Sequence, residues 1–290
     1  MFQTIHTIVF QALPGGGNPC PVTLNADELT TEEMQRMAKE FGEECAFLMK
    51  PTRPDCDVKV RYFLPLRELD MCMHATIGSA TVLVEKGIIT KSPIMYETTL
   101  GSVQIDWEKK DGKVQSGVHQ FLPKHLEKNP TEEEVCKALR IDKDVLAPYP
   151  LQSVATSTYK LIVPLKKRET LDSLDPDFEY LWELCDKYEI TGFYPYALET
   201  DENGKSVFCA RQFPKRAGYN EDPATGVAAS ALGTYLVDHK VVPVQEGWNS
   251  FKILQGFAMG RPSEIGSDIE IRDGKIVQTR VCGSAFLVEK

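Results

Sequence analysis

The chain has 290 residues, 42% of them hydrophobic and 26% charged, and carries a net charge of -9 at neutral pH. That is enough apolar material for one large or two ordinary globular domains, and the acidic balance argues against a nucleic-acid partner, because phosphate binding needs a basic footprint. No window reaches the roughly 18 apolar residues of a membrane-spanning helix, and the opening MFQTIHTIVFQALPGGG lacks the basic start of a secretory signal, so the chain reads as cytoplasmic.

Strand-like runs dominate the first part: TIHTIVFQ (4–11), CPVTL (20–24), CAFLMK (45–50) and VKVRYFL (58–64), each rich in β-branched or aromatic residues and bounded by turn residues. Between the second and third lies TTEEMQRMAKEFG, a helix by its threonine start, acidic first turn and trailing Gly42. PIMYETT follows, then a hairpin turned at Asp111-Gly112, the run QSVATSTYKLIVPL, and a second hairpin entered through Asn203-Gly204. Amphipathic helices are expected at 131–139 and 176–187. Strands outnumber helices, and the hairpins indicate largely antiparallel sheets. The eight cysteines show no CxxC spacing and the five histidines no HxH or HxxxH spacing, so the thiols read as reduced, mostly packed groups and no metal site is expected.

Two helices differ from the rest. HATIGSATVLVEKG (74–87) and DPATGVAASALGTYLVDH (222–239) are small and apolar on nearly every face, which predicts burial. Their openings match, ATIGSA beside ATGVAASA, about half a chain apart. That is the offset of two similar halves each wrapping a sheet around a central helix, although helix-start chemistry alone can produce so short a match. A helix N-terminus offers unpaired N–H groups and the positive end of the macrodipole, a ready anion site. Cys72, His74 and Asp222 fall at these two starts.

At these residues the sequence resembles the PhzF-like isomerase family, related in fold to diaminopimelate epimerase and proline racemase. The resemblance spans the chain: GGGNPCPVTL, EECAFL, FLPLRELDMCMHATIGSA, RQFPKRAGYNEDPATGVAASALG and QGFAMGRPSEI follow the family's motifs in order. It implies an α+β fold of two pseudo-symmetric halves, each a mostly antiparallel sheet rolled around a buried helix. The halves would be residues 1–118 plus 279–290 around helix 74–87, and residues 119–278 around helix 223–239. It further implies an active cleft between the halves, a small anionic metabolite as substrate, no cofactor, and a homodimer.

Carried over by position, Glu44 matches the catalytic acid/base, and the spacing to Cys45-Ala46-Phe47 favours it over Glu43. His74 and Asp222 match the polar pair of the cleft. Asn18, Cys72, Met73, Ala75, Thr76, Thr225, Gly226 and Val227 would complete the substrate-binding set. Asp222 followed by Pro223 reads by itself as a helix N-cap. Met73 replaces a family glycine and would narrow the pocket; Val227 replaces a serine and removes a hydroxyl. Cys72 aligns with the first thiol of the racemase relatives, but the second position is Pro223, so a packed, inert Cys72 is expected. The expected reaction is a 1,3- or 1,5-proton shift on a small unsaturated or cyclic acid, with Glu44 as the single base. The alternatives are an epimerase or racemase pairing Glu44 with Cys72, and a non-catalytic binder of small acids.

Overall fold

The computed structural model describes residues 2–288. They form two compact units: one holds the chain up to Gln11, Gly17–His119 and the stretch from Cys282, and the other holds Ala12–Gly16 and Gln120–Val281.

The first unit contains β1 (Gln3–Val9), β2 (Asn18–Leu24), α1 (Thr31–Phe41), β3 (Cys45–Met49), β4 (Val58–Phe63), β5 (Glu68–Leu69), α2 (Met73–Glu85), β6 (Ile94–Thr98), β7 (Gly101–Lys110) and β8 (Lys113–His119). Helix α1 begins as its sequence requires. The Thr30 hydroxyl accepts from Glu33 N, the Glu33 carboxylate accepts from Thr30 N, and Gly42 closes the end at φ 69°. Antiparallel pairs join β1 to β2, β3 to β4, β6 to β7 and β7 to β8; β2–β3 and β4–β6 run parallel. A parallel pair needs a crossover, and α1 and α2 supply the two. Asp111 and Gly112, both at positive φ, make the β7–β8 turn. The last strand of the chain, Lys275–Val288, pairs with both β1 and β8, so the sheet closes on itself.

Within it lies α2, whose residues from Met73 to Val84 are all buried. A helix enclosed on every side cannot be amphipathic, which is why its sequence reads Ala, Thr, Ile, Gly, Ser, Val. Gly78 lets strands approach its backbone: a Cβ there would sit 2.7 Å from Thr7 Oγ1 and 3.2 Å from Val9 Cγ2. Helix α1 packs outside, where Met34 and Ala38 meet Cys45, Phe47 and Phe63.

The second unit repeats this plan with β9 (Lys124–His125), α3 (Glu132–Leu139), β10 (Gln152–Ala155), β11 (Lys160–Leu165), α4 (Arg168–Asp172), α5 (Phe178–Lys187), β12 (Gly192–Thr200), β13 (Ser206–Ala210), β14 (Phe213–Pro214), α6 (Gly226–Asp238), β15 (Gly247–Gln255), β16 (Ser263–Arg272) and the part of β17 (Lys275–Val288) up to Val281. Again two strand pairs are parallel, β11–β12 across α4 and α5, and β13–β15 across α6, while β10–β11, β12–β13 and β15–β16 are antiparallel. Buried α6 packs on β10, β11 and β16 as α2 packs on β1, β2, β3 and β8. The two-halves pattern read from ATIGSA and ATGVAASA is therefore the architecture of the chain.

The expected amphipathic helices are α3, with a Thr131–Glu134 capping box, and α5, capped by Asp177. Two corrections concern helix starts. Asp222 is not the N-cap of α6: Thr225 is, and the chain is still extended at Asp222, which bridges to Gln212. Helix α2 starts a residue earlier than expected, with Cys72 as its N-cap. Strands β15–β17 extend the sheet beyond the sequence expectation, although Asp273-Gly274 carries the same hairpin signal as Asp111-Gly112. All eight cysteines are free thiols. No helix among the described residues is long and apolar enough to cross a membrane.

Candidate active site

In the first unit, Glu44 lies just ahead of β3, and Cys72 and His74 lie at the start of α2. The fold brings the three side chains together. The Cys72 thiol donates to Glu44 Oε2 at 3.0 Å, Cys72 Sγ is 3.4 Å from His74 Nδ1, and His74 Nε2 is 3.6 Å from Glu44 Oε2. Cys72 and His74 are 5% and 4% exposed, and the Glu44 side chain keeps 18% of its surface. The carboxylate is thus the member of the cluster that reaches toward solvent. Burial, and then the negative charge of Glu44, push the Cys72 thiol well above its ordinary range, so it stays protonated and serves as donor. Cys72 is buried as expected, and its proton is held by the Glu44 carboxylate.

The start of α2 is held by its own threonine. Thr76 Oγ1 donates to the Cys72 carbonyl at 2.8 Å, and the buried Tyr62 hydroxyl, 2.6 Å away, in turn donates to Thr76. Thr76, assigned to substrate binding from sequence, therefore has its hydroxyl engaged inside the unit and acts as a brace. Met73 and Ala75 are buried in the first turn of the helix. Cys72 makes no cap hydrogen bond through its side chain, and the first turn itself carries no acidic residue to repel an anion. Asn18, 9% exposed, opens β2 opposite Val9.

In the second unit, the start of α6 is built with equal care. The Asp222 carboxylate accepts from the Thr225 hydroxyl. Fully buried Gln255 ties the turn together: its Oε1 accepts from Tyr194 OH at 2.8 Å and Thr225 N at 3.2 Å, and its Nε2 donates to the Asp222 carbonyl at 2.7 Å and to Thr225 Oγ1 at 3.0 Å. Gly226 opens the helix, and Val227 is part-exposed in its first turn. This turn also lacks acidic residues and a side-chain cap.

Beside it, Arg211 grips Glu221 through two hydrogen bonds of 2.9 and 2.7 Å and donates to the carbonyls of Leu171 and Leu174. Residues from two quoted motifs thus serve to fix the segment that presents Asp222. Gln255, Tyr194 and Tyr62 were not assigned roles from sequence. Gln255 heads the motif QGFAMGRPS, but nothing in that string says that its amide reaches the Thr225 turn.

Comparison with known proteins gives this arrangement a class. The sequence profile of the phenazine biosynthesis-like protein family, PhzC-PhzF, matches residues 8–290. An uncharacterized isomerase of Clostridium acetobutylicum is 32% identical over 285 residues, covering 94% of this chain and 92% of its own. The trans-2,3-dihydro-3-hydroxyanthranilate isomerase of Pseudomonas aeruginosa is 29% identical over 288 residues, covering 98% and 96%. Among solved structures, the PhzF-family phenazine biosynthesis protein of Bacillus anthracis superposes with a TM-score of 0.88 at 27% identity, covering 99% of this chain and 96% of its own. The chain belongs to the PhzC-PhzF family of isomerases.

Proposed function

We propose that this isomerase moves a proton between carbons of a small unsaturated or cyclic carboxylic or amino acid, by a 1,3- or 1,5-shift with Glu44 as the shuttle. The observation that carries the reading is the Glu44–Cys72–His74 cluster, in which one carboxylate meets solvent while its partners are buried. A carboxylate removes a proton from a carbon acid when substrate binding excludes water and the developing charge is stabilised. The first turn of α2, which carries no acidic residue, would receive the substrate's carboxylate, with His74 donating to the oxygen where negative charge develops. In the second unit, Asp222, braced by Thr225 and Gln255, would meet an amino or hydroxyl group of a ligand, with Gly226 and Val227 beside it. The Pseudomonas relative acts on a dihydro-hydroxyanthranilate, which has this chemistry. Here, Met73 and Val227 in place of the family's glycine and serine favour a related acid of different outline.

The family resemblance further supports a cytoplasmic homodimer working without a cofactor. The test is to offer a panel of cyclic and unsaturated amino acids deuterated at the migrating carbon, in ordinary water. A single sheltered base returns part of the deuterium to the product. Complete washout with inversion at one carbon would instead identify an epimerase.

A further inference from the structure

The donor atoms gathered at the start of α2 differ in kind: one thiol, one imidazole and one carboxylate, all within 4.8 Å of one another. Taking His74 Nε2 as the imidazole donor, the separations are 3.9 Å to Cys72 Sγ and 3.6 Å to Glu44 Oε2, with 3.0 Å from sulfur to oxygen. Tetrahedral zinc, with bonds of about 2.3 Å to sulfur and about 2.0–2.2 Å to nitrogen and oxygen, sets its ligands about 3.4–3.6 Å apart. The three atoms stand within roughly 0.6 Å of that geometry. Sequence spacing gives no hint of this, because Glu44 comes from a different element.

We propose that Glu44, Cys72 and His74 bind a divalent metal ion of the zinc type, and that the bound ion inhibits the enzyme by occupying the carboxylate. The thiolate selects zinc-like ions over magnesium or calcium, which prefer oxygen cages. On binding, the Cys72 thiol gives its proton to solvent and the sulfur lone pair to the metal, so one proton is released per ion. The resulting thiolate sits at the positive end of α2, which favours it. Thiolate and carboxylate together balance the ion's two charges. The fourth position is left to solvent, and Glu44, which keeps 18% of its side-chain surface, gives the ion its way in. The inhibitory half of the proposal rests on Glu44 being the shuttle; the binding half does not.

The experiment titrates chelator-stripped full-length protein with zinc chloride by calorimetry, and with cobalt chloride by absorbance, using wild type, Cys72→Ser and Glu44→Gln. The expected result is one zinc per chain with release of one proton, a cobalt–thiolate charge-transfer band absent from Cys72→Ser, and a loss of affinity on the order of 100-fold in each variant. Circular dichroism of the isosteric variants verifies that they are folded. Absence of saturable binding, or equal binding by folded Cys72→Ser, overturns the site. Zinc binding to wild type that leaves its C–H exchange unchanged overturns the inhibition. Exchange that is absent from zinc-free wild type, while zinc binds as described, counts against the proton-shuttle reading and leaves the metal site standing.

Discussion

Cys72 Sγ lies 3.0 Å from Glu44 Oε2 and hands it a hydrogen bond, although the two residues are 28 positions apart and precede different elements. Antiparallel pairing explains the meeting. Strands β3 and β4 run antiparallel with Cys45 opposite Phe63, so the start of β3 and the end of β4, from which the chain leads on to α2, lie at one end of the sheet. Two hydrogen-bonded groups approach a substrate from one side. Racemisation by two bases needs one group on each face, so this contact supports the proposed single base, with Cys72 as its hydrogen-bond donor.

Cys72→Ala should accordingly lower kcat by about 10- to 100-fold, the worth of one hydrogen bond to a charged group, and Cys72→Ser should restore most of it. A chemical thiol would instead cost about 100-fold or more in both variants. Steady-state kinetics on the first substrate found in the isotope panel decides between them.

Gly78→Ala should destabilise the protein by about 1–3 kcal/mol, against the usual gain of about 1 kcal/mol for replacing glycine within a helix. The added methyl would press Thr7 Oγ1 at 2.7 Å, and the Thr7 hydroxyl is held by the Cys20 carbonyl at 2.8 Å. Urea unfolding of the two proteins measures the difference; a stabilised variant would mean that the strand gives way freely.

Removing the amide that braces α6 should be costly. Gln255→Leu would leave Tyr194 OH, the Thr225 amide and the Asp222 carbonyl without their partner, a loss of about 3 kcal/mol. It should also raise KM, since Asp222 loses its support. Unchanged stability and KM would show that this network does not matter.

Acid sensitivity has an identifiable contributor in Glu97. Hydrogen bonds from the Thr52 hydroxyl, then the Thr52 and Arg53 amides, hold its carboxyl down from about 4.5 to about 2. A folded-state value below the unfolded one adds stability that is fully present at neutral pH and disappears as pH falls from about 4.5 toward 2. Wild type should therefore exceed Glu97→Gln in stability at pH 7, with the gap closing across that window. Denaturant midpoints measured from pH 7 to pH 2 would show a constant gap if the carboxylate were unimportant.

Much of the fold was legible because its signals are local. Thr30 and Gly42 bound α1, Asp111-Gly112 turns a hairpin, and the two apolar helices announce their own burial. The start of α6 was misread because Asp222-Pro223 satisfies N-cap chemistry locally, whereas Gln255 from a distant strand draws Thr225 into that place. The same limit hid the Cys72 contact. A thiol's burial can be judged from its neighbours in sequence, but its partner depends on which strand ends meet. Among the eleven site residues named from sequence, Glu44, Cys72 and His74 converge on one another, while Thr76 turns inward to Tyr62.

The most direct test of the central claim is C–H exchange in heavy water, followed by NMR on wild type and Glu44→Gln with the same acids. The isosteric amide keeps the size of the side chain but cannot take a proton, so exchange should fall by about 100- to 10,000-fold while the fold and ligand binding persist. Exchange that continues at the wild-type rate in folded Glu44→Gln would place the base elsewhere and contradict the account.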